Sequence, residues 1–138
     1  MVIKESFEDP FEYLIRVNCE CTSSPINDVD SYDYEYKELF ESIVSQLVLS
    51  DSFDRLKYNL VDHGVSDFYN PFSNDDRNYI GEISLSFEER VGKTQLRAVI
   101  IEYFKNHPTE FTYIGEHLDT EITISVDSNI EDEDILEV

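Results

Sequence analysis

Gly92-Lys93-Thr94 stands after one alternating apolar stretch and before a helical one, the position a phosphate-binding loop takes between strand and helix. The rest of that motif is missing. Phe87 stands where GxxxxGK[ST] needs its first glycine, and Glu88 and Glu89 bring carboxylates where phosphate oxygens need backbone amides. The triplet reads as a helix start with Thr94 as cap. Asp28, Asp30 and Asp33, and separately Asp127, Asn129 and Glu131, have the opening spacing of a calcium loop. Both break at the sixth position, Asp33 or Asp132 instead of glycine, and at the twelfth, Leu39 or Val138 instead of glutamate.

His63, His107 and His117 have no partner at zinc-ligand spacing, and His63 and His107 fall where helices are expected to end, a place that suits partial positive charge. Cys19 and Cys21, spaced i, i+2, form neither a metal knuckle nor a CxxC pair. On a strand they point the same way as reduced, partly buried thiols, which fits a reducing cytoplasm. No nucleophile motif occurs, so the expectation is a protein without catalytic residues, cofactor or metal site.

The chemistry that remains is charge. Thirty-one acids against ten bases give −21 at pH 7, and from 106 onward there is no Lys or Arg while ten acids occur. Solubility alone asks for a magnitude of only about 2–8 in a small domain, and the excess costs stability by self-repulsion. B-DNA carries a charge per ~1.7 Å of axis, so this net charge corresponds to roughly 35 Å of duplex. A folded chain of this length has a radius of gyration of ~14 Å, hence a similar diameter. Such a surface disfavours nucleic acid and anionic membrane and suits a basic protein.

These charges need elements to display them. Tyr32, Tyr36, Leu39, Phe40, Ile43, Val44, Leu47 and Val48 recur at helical spacing, which buries one face and leaves Asp33, Glu35, Glu38 and Glu41 outside with Lys37. Asp30 and Ser31 are candidate caps for this helix. Tyr34 lies off the apolar stripe among acids, a candidate interface anchor. After a break at Ser50, Asp51 and Ser52, Phe53, Leu56, Leu60 and Val61 continue the period as a second helix or the far half of one kinked helix, stopped by Gly64. The polar stretch 65–78 reads as a long loop carrying Phe68, Tyr69 and Phe72, an aromatic set of the composition of an interface hot spot or a lid on the core.

Phe11 to Cys21 alternate in polarity, as do Ile83, Leu85 and Phe87, giving strands with one wet face. Leu96, Val99, Ile100, Tyr103 and Phe104 mark a helix from about Thr94 to Asn106, and Phe111, Tyr113, Ile122, Ile124 and Val126 a hairpin. The expectation is a single α+β domain over 1–127, with one mixed or antiparallel sheet of about four strands and two to three helices on one face. Glu12, Glu20, Glu82, Glu88, Glu121 and Asp127 are candidates for its open face. An acidic tail, 128–138, follows, either disordered or ending in an edge strand or short helix, with Glu131, Asp132, Glu133 and Asp134 as candidate contacts.

The opening residues contain Glu5, Glu8 and Asp9 and no apolar run, so no signal peptide is expected, and no window approaches a membrane span. The leading expectation is a cytoplasmic inhibitor that lays carboxylates into the basic groove of a nucleic-acid-processing enzyme. Phage-encoded DNA mimics that block restriction or CRISPR nucleases, and immunity proteins of nuclease toxins, share this size and charge. That analogy is one of composition alone. The alternative is an adaptor that docks a protein through the aromatic loop and a sheet edge. An enzyme with carboxylate chemistry would need a deep pocket around a carboxylate of raised pKa.

Overall fold

A computed structural model describes residues 10–24, 33–71, 78–106, 111–114 and 121–138. The alternating segment forms β1 (Phe11–Ser24), whose Tyr13, Ile15, Val17, Cys19 and Cys21 are all buried while Arg16, Asn18 and Glu20 are exposed. The helical stripe forms α1 (Asp33–Leu49), and all seven of its apolar positions from Tyr36 to Val48 enter the core. Tyr32 and the candidate caps Asp30 and Ser31 lie outside the described residues.

The expected second helix is cut short. A 3-10 turn at Asp51–Phe53 runs into α2 (Asp54–Lys57), and the chain then turns into a strand, β2 (Leu60–Tyr69). Asn59 makes this corner. Its Nδ2 donates to Glu89 O at 3.1 Å and its Oδ1 accepts from Glu89 N at 2.8 Å, while its carbonyl accepts from Glu88 N at 2.9 Å. A buried asparagine whose side-chain amide and backbone carbonyl together satisfy three backbone groups of another segment fixes the chain direction better than continuing a four-residue helix would.

The expected loop over 65–78 is therefore wrong in its first half. β2 and β3 (Asn78–Phe87) form an antiparallel pair with register shifts between Leu60 and Asp62 and between Val65 and Asp67. Each shift breaks the period of two, which is why the alternation is not visible in the sequence. Gly64 lies within β2, paired with Ser84, and stops no helix; His63 is an exposed strand residue.

α3 (Lys93–Asn106) buries the five apolar residues expected of it, and it begins at Lys93, which puts Thr94 inside the first turn instead of at the cap. Tyr13 ties β1 to the approach to α3: its hydroxyl donates to Val91 O at 2.6 Å and accepts from Val91 N at 3.0 Å. β4 (Phe111–Ile114) and β5 (Glu121–Val126) form the expected hairpin.

The result is a small α+β domain whose sheet has the order β2-β3-β1-β5-β4, antiparallel at every pairing, with the helices packed against it. The last residues rejoin that sheet. After β5 the chain leaves β1 at Asp127, makes a 3-10 turn at Asp132–Asp134, and returns as β6 (Ile135–Glu137) opposite Ile15, Leu14 and Tyr13. Ile130 and Ile135 are both buried, so this acidic segment is folded onto the domain instead of extending from it as a disordered tail.

Candidate partner-binding surface

Among the described residues the buried polar side chains are Asn59 and Ser86, and no carboxylate is buried. Among the described residues three parts of the surface gather acids. On α1, Glu41 and Lys37 are exposed and Glu35 and Glu38 half-buried; the backbone of Asp33 and Tyr34 belongs to the helix, and their side chains lie outside the described residues.

The C-terminal segment is a second part. Glu131, Asp132 and Glu133 are exposed and Asp134 half-buried. Arg97 of α3 donates to Ile130 O at 2.6 Å and lies 4.0 Å from Glu131 and 3.7 Å from Asp132. Glu131 and Asp134 form a capping box around the 3-10 turn. Several of these carboxylates thus hold the segment in place. Asn129 N–H donates to Asp127 Oδ1, a turn contact within what was the second calcium-like fragment.

The third part is the wet face of the sheet. Register places Asp62, Ser86 and Glu12 in one row across β2, β3 and β1, then Gly64, Ser84 and Leu14, then Asp67, Glu82 and Arg16, then Tyr69, Ile80 and Asn18. Arg16 neutralises Glu82 at 3.7 Å, and Ser84 Oγ donates to Glu12 at 3.3 Å. Of the acids expected on this face, Glu12, Glu20 and Glu82 are there. Glu88 and Asp127 lie just beyond their strands, and the Glu121 side chain lies outside the described residues. Asp62 and Asp67 complete the face and were missed, since their stretch reads as helix and loop. The signal available for it was the β-propensity of Val61, Val65, Phe68 and Tyr69.

The aromatic set is divided. Phe68 stacks on Tyr79 at 5.1 Å between ring centres and packs on Phe40 at 5.2 Å, so it belongs to the core edge as a lid. Tyr69 alternates outward and is 38% exposed. Phe72 lies outside the described residues, as do His107 and His117.

A concavity of about 760 Å³ is lined by Asn18, Glu20, Tyr79, Lys105 and Asp127 among others. Cys19 also lines it; burial, reinforced by the neighbouring Cys21, raises that thiol well above its ordinary value and keeps it protonated and weakly nucleophilic. Neither cysteine forms a disulfide. Among the described residues no group of three or more His, Cys, Asp or Glu could hold a metal ion, and no helix is long and apolar enough to cross a membrane. Comparison of the chain with protein-family models, curated proteins and solved structures gives no match.

Proposed function

We propose that this protein is an acidic inhibitor that occupies the basic nucleic-acid-binding surface of a nuclease or related enzyme, in the manner of a phage anti-restriction or anti-CRISPR protein or a toxin immunity protein. The observation that carries the reading is the combination of a net charge of −21 with the absence of any buried carboxylate among the described residues. Carboxylates kept at the surface in such excess raise association rates with a basic groove and repel nucleic acid itself. Two buried thiols outside any disulfide agree with a cytoplasmic setting.

The adaptor alternative loses its main anchor, because Phe68 is part of a packed stack and the edge strand β2 carries two register shifts that blunt strand addition. The test is capture of partners on the immobilised protein with low- and high-salt washes, followed by assay of the retained enzyme. The expected result is a nucleic-acid enzyme inhibited by the protein, with inhibition relieved by excess duplex and lost steeply as salt rises. A partner that survives high salt and ignores nucleic acid overturns the reading.

A further inference from the structure

We propose that the wet face of the sheet holds an arginine side chain of the basic partner in the row formed by Asp62, Ser86 and Glu12. This rests on the reading of the protein as the ligand of a basic surface, and it names the contact within that surface.

Ser86 is the observation that singles out this row. It is only 7% exposed, it alternates with the core residues Leu85 and Phe87 and so faces the wet side, and its hydroxyl has no hydrogen-bond partner among the described residues. A buried unpaired hydroxyl is an unfavourable arrangement that a ligand can relieve. Its cross-strand partners are Glu12 on one side and Asp62 on the other. Two strand spacings separate those two backbones by about 10 Å, so both carboxylates flank the hydroxyl.

Among the described residues no cation pairs with either carboxylate. Glu12 accepts from Ser84 Oγ at 3.3 Å, and Asp62 Oδ1 accepts from the His63 N–H at 2.9 Å. Each has a second oxygen to offer. Two rows along, the chain itself supplies the missing element: Arg16 stands 3.7 Å from Glu82. A guanidinium has five donors in a planar fork and no acceptor, which matches two carboxylates and a hydroxyl that can accept one N–H while donating its own proton to an oxygen of either acid. The phosphates of a nucleic acid and the carboxylates of an acidic peptide are repelled by the two acids of this row.

The test is a nuclear-magnetic-resonance titration of the full chain with a hexa-arginine peptide at low salt, using the wild type, E12Q, D62N and S86A, and E102Q at an exposed position of α3 as control. The expected result is saturable binding with shifts centred on Ser86 and its cross-strand neighbours. Kd should rise about tenfold in E12Q and in D62N, the loss of one charge-assisted hydrogen bond, and stay unchanged in the control. S86A should weaken binding and yet raise the melting temperature of the free protein, because it removes the orphaned hydroxyl.

Shifts centred on α1 or the C-terminal segment, or wild-type affinity in E12Q and D62N, overturn this site and leave the basic-partner reading standing. A lowered melting temperature in S86A also overturns it, since the hydroxyl would then be contributing to the fold. Absence of saturable binding anywhere on the protein overturns both.

Discussion

The ring of Phe40 lies against the α-carbon of Gly81, in the volume a β-carbon at that position would fill. α1 can settle on the sheet beside β3 because one strand residue there has no side chain, and the same ring then packs on Phe68. Gly81→Ala should therefore cost about 1–3 kcal/mol by overpacking, read as a lower urea midpoint with an unchanged slope. Gly64 is the contrast. Nothing lies within 4 Å of a β-carbon there, so Gly64→Ala should be neutral or stabilise by up to ~1 kcal/mol. Equal costs at the two glycines would mean that Phe40 moves aside freely.

Tyr13 and Asn59 grip the same turn from opposite directions, at Val91 and at Glu88 and Glu89. Tyr13→Phe leaves a buried N–H and carbonyl of Val91 unpaired, and a loss of about 1–3 kcal/mol is expected. Asn59→Ala should cost a similar amount. Because both act on one short segment, the double variant should lose less than the sum, by at least ~0.5 kcal/mol. Strict additivity in chemical unfolding would show that the two anchors are independent.

These anchors also explain how far the sequence could be read. α1, α3, β1 and the β4–β5 hairpin follow from periods of 3.6 and 2, because each buries one complete face. β2 does not, because an edge strand with two register shifts exposes most of its residues and alternates with neither period. Its polar residues Ser66 and Asp67 then resemble a loop. β6 is three residues long and is held by Ile135 and by ladder pairing to Tyr13, Leu14 and Ile15, too little to leave a periodic trace. The acidic helix face was legible as spacing, but the row of Asp62, Ser86 and Glu12 exists only through strand register, which no single segment contains.

The Glu137 carboxylate accepts from the Arg90 Nε at 2.7 Å and its Nη2 at 3.2 Å, and this pairing holds the acid below its ordinary pKa. A carboxylate depressed in the folded state contributes stability at pH values above its unfolded pKa and loses it as pH falls through the folded value. Acidification should accordingly fray β6 first, seen as a lower protection factor against amide exchange at Val138, whose N–H donates to Glu12 O. E137Q should show the lower protection factor already at neutral pH. On the alkaline side the sign reverses. The Cys19 thiol is raised by burial, so stability is full below the unfolded value near 9.0 and falls as pH climbs above it. Cys19→Ala should flatten that alkaline decline.

Salt should act on folding and on binding with opposite signs. With 31 acids and 10 bases in the chain, screening reduces self-repulsion in the compact state, so the melting temperature should rise between 10 and about 500 mM NaCl. Affinity for a basic partner should fall over the same range. A melting temperature that drops with salt would indicate that the ion pairs of Arg90, Arg97 and Arg16 outweigh the net repulsion.

Removing 128–138 is a poor test of whether its acids bind a partner, because it also removes Ile130 and Ile135 from the core and leaves the β1 edge at Tyr13, Leu14 and Ile15 unpaired. Emptying two buried isoleucine sites costs several kcal/mol by analogy with Ile→Ala changes of about 2–5 kcal/mol each, a large part of the stability of a domain this size. The truncated chain should lose inhibition by unfolding. Glu133→Lys is the informative change, since Glu133 is exposed and takes no part in the capping box or the Arg97 contacts. Asp33, Glu35, Glu38 and Glu41 changed together to Lys is its counterpart on α1. If α1 carries the contact, the quadruple variant abolishes inhibition with its circular dichroism unchanged while Glu133→Lys inhibits normally. Normal inhibition by both moves the contact to the sheet face, where D62N and E12Q should then reduce it about tenfold each.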